Sequence, residues 1–164
     1  MPTLGNAMKL SLDDYSIISL IQDDARMSIS KVAKLTNMPE STARHKLNRL
    51  VDSGVISFVA LSDPIKLGYK TWVALMLEID VSQLKAAAEK IASFKEVYFV
   101  AVTNGNYQLQ VSAVFRSNDE YVRFMTDDLA KIGGLKSINT YNYLSVIKRS
   151  MAMIPPEEFI EDDQ

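Results

Sequence analysis

Residues 28–56, SISKVAKLTNMPESTARHKLNRLVDSGVI, hold two short runs of helical periodicity separated by Asn37-Met38-Pro39. Ser28 or Ser30 is suited to cap the first run, in which Ile29, Val32, Ala33 and Leu35 face inward. Proline bars the helix from continuing, so the chain must turn within three or four residues. Pro39 or Glu40 opens the second run, whose inward stripe is Ala43, Leu47, Leu50 and Val51. Gly54 stands where a helix C-terminus favours left-handed backbone. From Lys31 to Arg49 the chain carries Lys31, Lys34, Arg44, Lys46 and Arg49 against Glu40 alone, together with its only histidine, His45.

Upstream, Asp13 or Asp14 is placed to cap a further helix, in which Ile17, Ile18, Leu20 and Ile21 keep helical spacing up to Asp23-Asp24. Downstream, Val55 to Leu61 reads as a strand ended by Asp63-Pro64. A helix, a tight turn, a second helix and a strand make the winged helix-turn-helix plan, whose second helix of the pair enters the DNA major groove. Ser41, Thr42, Arg44, His45 and Asn48 lie at the start and on the outer side of that helix, as candidates for base edges. Arginine pairs bidentately with guanine and asparagine with adenine. Lys31, Lys34, Lys46 and Arg49 are candidates for phosphate contacts, which add affinity and salt dependence but little sequence choice. Neither Arg44 nor Lys46 has a carboxylate four residues downstream, where Asn48 and Leu50 stand, so an external anion is the expected partner. A plain solvated face would carry similar charges; the order of the elements is what favours DNA.

The totals agree with this reading. At 164 residues and 48% hydrophobic, the chain can build one domain or two small ones. The absence of cysteine removes disulfides and thiolate metal sites, and a single histidine argues against a histidine zinc site. No metal and no cofactor are expected. No run of eighteen apolar residues exists, and Met1 to Lys9 lacks the apolar stretch of a signal peptide, so a cytoplasmic protein without a membrane partner is expected. The net charge of −2 hides an asymmetry, because Glu157, Glu158, Glu161, Asp162 and Asp163 concentrate acid at the C-terminus.

Beyond Tyr69 the pattern changes. Trp72 to Asp80 reads as a strand, Ser82 to Phe94 as an amphipathic helix with Leu84, Ala87, Ala88 and Ile91 inward, and Val97 to Thr103 and Tyr107 to Phe115 as a hairpin about Asn104-Gly105-Asn106. Asn118 or Asp119 caps a helix through Ile132, Gly133-Gly134 stops it, and Leu135 to Lys148 reads as a long last strand. The order βαββαβ predicts an α+β, ferredoxin-like domain. Val73, Leu75, Leu77 and Ile79 share one face of the first strand, while Trp72, Ala74 and Met76 share the other. With helices on one face only, the second face predicts a dimer through the sheet.

The run LDDYSIISLIQDDARMSISKVAKLTNMPESTARHKLNRLVDSGVISFVALSDPIKLG, with VTNGNYQLQV and IGGLKSINTYNYLSVIK in the second half, resembles the Lrp/AsnC family of feast-famine transcriptional regulators over residues 10–149. The resemblance implies a winged helix-turn-helix joined to a domain for regulation of amino-acid metabolism (RAM domain), sheet-to-sheet dimers, and tetramers or octamers built from them. The linker-like run from Pro64 to Tyr69 and the change of pattern beyond it divide the chain into residues 1–63 as the DNA-binding domain, 64–71 as a linker, 72–150 as the ferredoxin-like sensing and oligomerisation domain, and 151–164 as an acidic tail. Two recognition helices in one dimer favour palindromic half-sites about one helical turn, or a multiple of it, apart.

The resemblance also implies a small-molecule effector, such as an amino acid, between sensing domains. The matching groups are Thr103, Gly105, Asn106, Tyr107 and Gln108. Gln108 departs from the aspartate usual there, and a carboxamide offers an α-ammonium group only a neutral acceptor. Read from the residues alone, the same stretch is a tight turn beginning a strand.

Two alternatives stand beside the regulator. One is a sirohaem decarboxylase of the same architecture; such enzymes use histidine and arginine in the second domain, which here holds Arg116, Arg123 and Arg149 but no histidine, so no catalysis is expected. The other is an assembly or effector-binding module without DNA binding. The tail after Ser150 reads first as frayed, with Ala152, Ile154, Phe159 and Ile160 as anchors on a neighbouring subunit in the second reading.

Overall fold

The structure, a computed structural model, describes residues 8–150, 153 and 160–161. They fall into two compact units, one spanning residues 61–148 and one formed by the described residues before 61 together with those from 149 onward.

The first unit along the chain opens with β1 (Leu10–Ser11), followed by α1 (Leu12–Asp23), α2 (Ile29–Leu35) and α3 (Glu40–Asp52). Helix α1 is capped neither by Asp13 nor by Asp14. Ser11 is the N-cap, and Asp14 reaches back to it in a capping box: Ser11 N–H donates to Asp14 Oδ2 (3.0 Å) and Asp14 N–H donates to Ser11 Oγ (3.2 Å). Ser28 caps α2, its Oγ accepting from Lys31 N–H. Asn37 closes α2 in the left-handed region (φ 54°), with Met38 N–H donating to Ala33 O, and Gly54 (φ 76°) closes α3, its N–H donating to Val51 O.

Leu10, Ile17, Ile18, Ile21, Val32 and Leu50 form the core of this unit, with Leu47, Met38 and Ile56 packed against it. Leu35 and Val51, expected inside, are exposed, because three short helices leave the margins of each apolar stripe uncovered. The expected strand Val55 to Leu61 does not form; a strand needs a neighbouring ladder, and none of the described residues supplies one. Phe58, Val59 and Leu61 are therefore exposed.

A buried charged contact ties α1 to α3. Asp14 is fully buried, and its Oδ2 accepts a hydrogen bond from the Arg49 guanidinium, an ion pair linking the start of α1 to the last turn of α3. Burial pushes the Asp14 pKa up, but the hydrogen bonds from Ser11 and Arg49 outweigh it and hold the carboxyl below its ordinary 3.8. Its Oδ1 has no hydrogen-bond partner among the described residues.

The C-terminal segment returns to this unit. β6 (Ile160–Glu161) pairs in parallel with β1, Leu10 opposite Ile160 and Ser11 opposite Glu161, and Gln22 Nε2 donates to Met153 O at 2.8 Å. The frayed-tail expectation thus fails at these points, since an exposed β1 edge offers unpaired backbone groups that an extended segment can satisfy. Of the anchors read from the sequence, Ala152, Ile154 and Phe159 lie outside the described residues.

The second unit contains β2 (Thr71–Ile79), a 3₁₀ turn (Val81–Gln83), α4 (Leu84–Ala92), β3 (Val97–Val102), β4 (Leu109–Phe115), α5 (Asn118–Arg123) continuing through a π turn and a 3₁₀ turn to Lys131, and β5 (Leu135–Asn142). The sheet order is β3-β4-β2-β5, antiparallel throughout, as the split βαββαβ order requires. Ser117, rather than Asn118 or Asp119, caps α5 through Glu120 N–H.

Val73, Leu75, Leu77 and Ile79 are buried with Ala87, Ala88, Ile91, Phe115, Phe124 and Leu129. The last strand stops at Asn142, six residues short of the expected Lys148, because its partner β2 starts at Thr71 and the ladder ends where Tyr143 N–H donates to Trp72 O. Leu144 and Ile147 are almost fully exposed. On the sheet face away from the core, Trp72 Nε1 donates to Tyr98 Oη and its ring packs at 5.0 Å on Tyr143, while Phe99 and Tyr141 are about half exposed.

Asp14→Asn keeps the side-chain volume but removes the charge that holds Arg49, and should destabilise the N-terminal unit by about 1–3 kcal/mol, read by chemical denaturation at pH 7. Because the folded-state pKa lies below the unfolded value of 3.8, the native contribution is complete above that value and disappears as pH falls through the folded pKa. The gap between native chain and variant should therefore close in acid.

Candidate nucleic-acid interface

Helix α3 has no side-chain cap: Pro39 is its N-cap and Ala43 N–H is the first to bond back, to Pro39 O. The N–H groups of Glu40, Ser41 and Thr42 are thus open to an outside acceptor, at the end where the helix dipole favours negative charge. Ser41, Thr42, Arg44, His45 and Asn48 are all exposed, so the five side chains expected at base edges share the accessible side of one helix. Their exposure follows from the burial of Ala43 and Leu50, which turns the opposite side of the helix into the core.

The cations divide into two groups. Lys31 and Lys34 on α2 are exposed, and no ion pair joins them to an acid among the described residues. Arg44, Lys46 and Arg49 on α3 are paired, against the expectation that Arg44 and Lys46 lack carboxylate partners. Arg44 Nη2 lies 2.7 Å from Glu40 Oε1, one turn upstream. Lys46 Nζ lies 3.1 Å from Asp13 Oδ2 and 3.1 Å from Ser11 Oγ, and Arg49 holds Asp14.

The three pairs differ in what they leave free. Arg44 and Glu40 are both about half exposed, so their attraction is screened and the guanidinium can exchange its partner. The Lys46 side chain is only 21% exposed and the Asp14 carboxylate 1%, so Lys46 and Arg49 brace α3 against the start of α1. Glu40 was readable at i−4 of Arg44; Asp14 and Arg49 stand 35 residues apart, and no local pattern links them.

In the second unit, Thr103, Gly105, Asn106, Tyr107 and Gln108 come together as the β3–β4 connection, with Gly105 at φ 104°. Thr103 Oγ1 donates to Tyr107 O at 2.6 Å. Both ends of the Gln108 carboxamide are used within the chain: Oε1 accepts from Ile79 N–H at 2.9 Å and Nε2 donates to Gly105 O at 3.1 Å. Gln108 therefore clamps the connection onto β2. The Tyr107 hydroxyl accepts from Asn139 Nδ2 at 3.2 Å.

Two shallow clefts, of about 220 and 210 Å³, lie elsewhere in this unit, and neither is lined by a residue of the connection. The first contains Arg116, one of the arginines weighed for catalysis. Arg116 Nη2 donates to Glu120 Oε1 at 2.8 Å, and this hydrogen bond, with the arginine's charge, holds the Glu120 carboxyl below its usual range. Among the described residues no group of three or more histidine, cysteine, aspartate or glutamate side chains could hold a metal ion, and no helix is long and apolar enough to cross a membrane.

Comparison with known proteins connects the two units. Residues 14–57 match the winged helix-turn-helix DNA-binding profile and residues 73–153 the Lrp/AsnC ligand binding domain profile. An uncharacterised HTH-type transcriptional regulator of Pyrococcus horikoshii, PH0140, is 35% identical over 157 residues, covering 94% of this chain and 99% of its own length. Among solved structures, the Neisseria meningitidis transcriptional regulator NMB0573 in complex with L-Met superposes with a TM-score of 0.80 at 18% identity, covering 88% of this chain and 96% of that one. AsnC of E. coli superposes with a TM-score of 0.78 at 20% identity, covering 88% and 99%. A helix-turn-helix with an open recognition face, a split βαββαβ sheet and a relative aligned along almost its whole length lead to one conclusion: the chain belongs to the Lrp/AsnC family of transcriptional regulators.

Proposed function

We propose that this regulator binds specific duplex sequences through the exposed side of α3, acting in the cytoplasm as a homodimer joined through the open sheet face. The observation that carries the reading is the shared exposure of Ser41, Thr42, Arg44, His45 and Asn48 beside an uncapped helix N-terminus. Arg44 and Asn48 are the base readers, with guanine and adenine as their natural partners. Lys31 and Lys34 neutralise phosphates. Lys46 and Arg49 move from phosphate contacts to braces, because each is engaged with an acid at the start of α1.

Dimerisation is supported by the aromatic surface of the sheet, where Phe99, Tyr98, Tyr141 and Tyr143 stay substantially exposed around Trp72. Such a patch is costly to leave in water and is suited to a second copy of itself. Higher assemblies are further multiples of this dimer.

An effector belongs to the same proposal. The N. meningitidis relative holds L-Met, which makes an amino acid the first ligand class to test here. With Gln108, the Gly105 carbonyl and the Thr103 hydroxyl proton committed to the chain, recognition falls to the backbone N–H groups at Gly105 and Asn106, the Tyr107 hydroxyl and the remaining lone pair of Thr103 Oγ1. Nothing in the site favours catalysis: the one histidine is on α3, and Arg116 is held by Glu120.

Fluorescence anisotropy on genomic fragments across a salt series tests the reading. Arg44→Ala should cost about 1–3 kcal/mol on the preferred sequence and relax its choice. Lys34→Ala should weaken all duplexes alike and reduce the salt slope by about 1, whereas Arg49→Ala should lower the melting temperature. Failure of the native chain to bind any duplex at low salt removes the reading. Tyr141→Asp should convert a dimer to a monomer by light scattering; a native chain that is already monomeric refutes the dimer. In thermal shift, an amino acid at about 100 times its Kd should add about 2.7 kcal/mol of stability, and no shift with any of the twenty at millimolar concentration removes the effector.

A further inference from the structure

Before residue 61 the chain carries seven lysines and arginines against six acids, an excess of one positive charge for the unit that is to meet DNA. The segment from Arg149 to the end adds one arginine and five acids, turning that excess into three negative charges. The segment is brought back to this same unit at two points. Met153 O accepts from Gln22 near the C-terminal end of α1, and β6 pairs with β1 immediately before its N-terminal end. The register sets Glu161 opposite Ser11, whose Oγ accepts from Lys46 Nζ of the recognition helix. Glu157 and Glu158 precede this pair closely in sequence, and Asp162 and Asp163 follow it directly.

A residue two places along the chain from a fixed point can be no more than about 7 Å from it, inside the Debye length of about 10 Å at 0.1 M salt, so acids adjoining a paired strand add to the field that an approaching phosphate meets. The β1 edge has the chemistry to hold such a segment. It offers backbone donors and acceptors to an extended chain, and the cation next to it, Lys46, is shared between Asp13 and Ser11.

We propose that the β1 edge, with the start of α1 and Lys46, is a docking surface for an extended acidic segment, and that its occupant is the chain's own C-terminus, which acts as an electrostatic brake on DNA binding. This rests on the DNA-binding reading above. The brake works by charge: the acids oppose phosphate approach at low salt and lose their effect as salt screens them. Release of the segment, or neutralisation of its carboxylates, returns the unit to its positive state.

The test uses the full chain with Glu157→Gln, Glu158→Gln, Glu161→Gln, Asp162→Asn and Asp163→Asn together, which keeps the backbone of β6. A second variant ends at Ser150. Both are compared with the native chain for affinity to the same 30-base-pair duplex at rising salt, after their melting temperatures are measured. The neutralised chain should bind about tenfold tighter at 50 mM salt, with the advantage shrinking to less than about twofold at 300 mM. The shortened chain should behave likewise. Native binding that both variants leave unchanged overturns the brake while the DNA reading stands. Tighter binding by the shortened chain alone also overturns it, since bulk and not charge would then be the cause. If none of the three binds DNA, the DNA reading falls and the brake falls with it; a silent native chain beside two binding variants supports both.

Discussion

The carboxylate of Asp14 is the point on which the N-terminal unit turns. It closes the capping box that starts α1, accepts from Ser11 and receives Arg49 from the last turn of α3. A buried charge is costly unless it is paired, so the bonds that Oδ2 accepts from Ser11 and Arg49 constrain two elements at once. The recognition helix therefore does not rest on its apolar stripe alone, of which only Ala43 and Leu50 are buried. With Lys46 on Asp13 one turn earlier, the inner side of α3 is fixed by charge and the outer side is left to Arg44, His45 and Asn48.

This division lets one short helix brace its unit on one side and keep an exposed polar face on the other. Its cations are not equivalent, although they alternate evenly in sequence. Arg44 can leave Glu40 at little cost because both groups are solvated, whereas Arg49 cannot leave Asp14 without stranding a buried charge. The sheet unit solves a different problem. Its core is a conventional layer of β2 and β4 side chains under α4 and α5, and its other face carries the aromatic surface. The connection that the family resemblance marks for an effector is held by Gln108, so the departure from aspartate has a structural use here: a neutral side chain that can donate as well as accept spans Ile79 N–H and Gly105 O.

Much of this is legible in the sequence; apart from the caps of α1 and α5, which fall slightly earlier than expected, the departures share a cause. The three helices, the turn at Asn37, the stop at Gly54 and the four strands of the sheet follow from periodicity and from glycine, proline and asparagine. The expected strands at Val55 to Leu61 and beyond Asn142 fail because apolar alternation says that a segment can pair, not that a neighbour is there. At Ile160 and Glu161 the departure runs the other way: prolines and acids suggest fraying, yet β1 gives these two residues a partner.

By itself the sequence determined the element types, their order, the two-part organisation and which side of α3 faces out, because helix caps, turns and periodicity act over a few residues. Tertiary structure alone decided which cations are spent, where the strands end and where Ile160 and Glu161 find a partner. Those outcomes depend on segments far apart in the chain meeting in space: Asp14 and Arg49 lie 35 residues apart, and Ser11 pairs with Glu161 from much farther along the sequence. Local preference carries no information about such partners until the core has placed them.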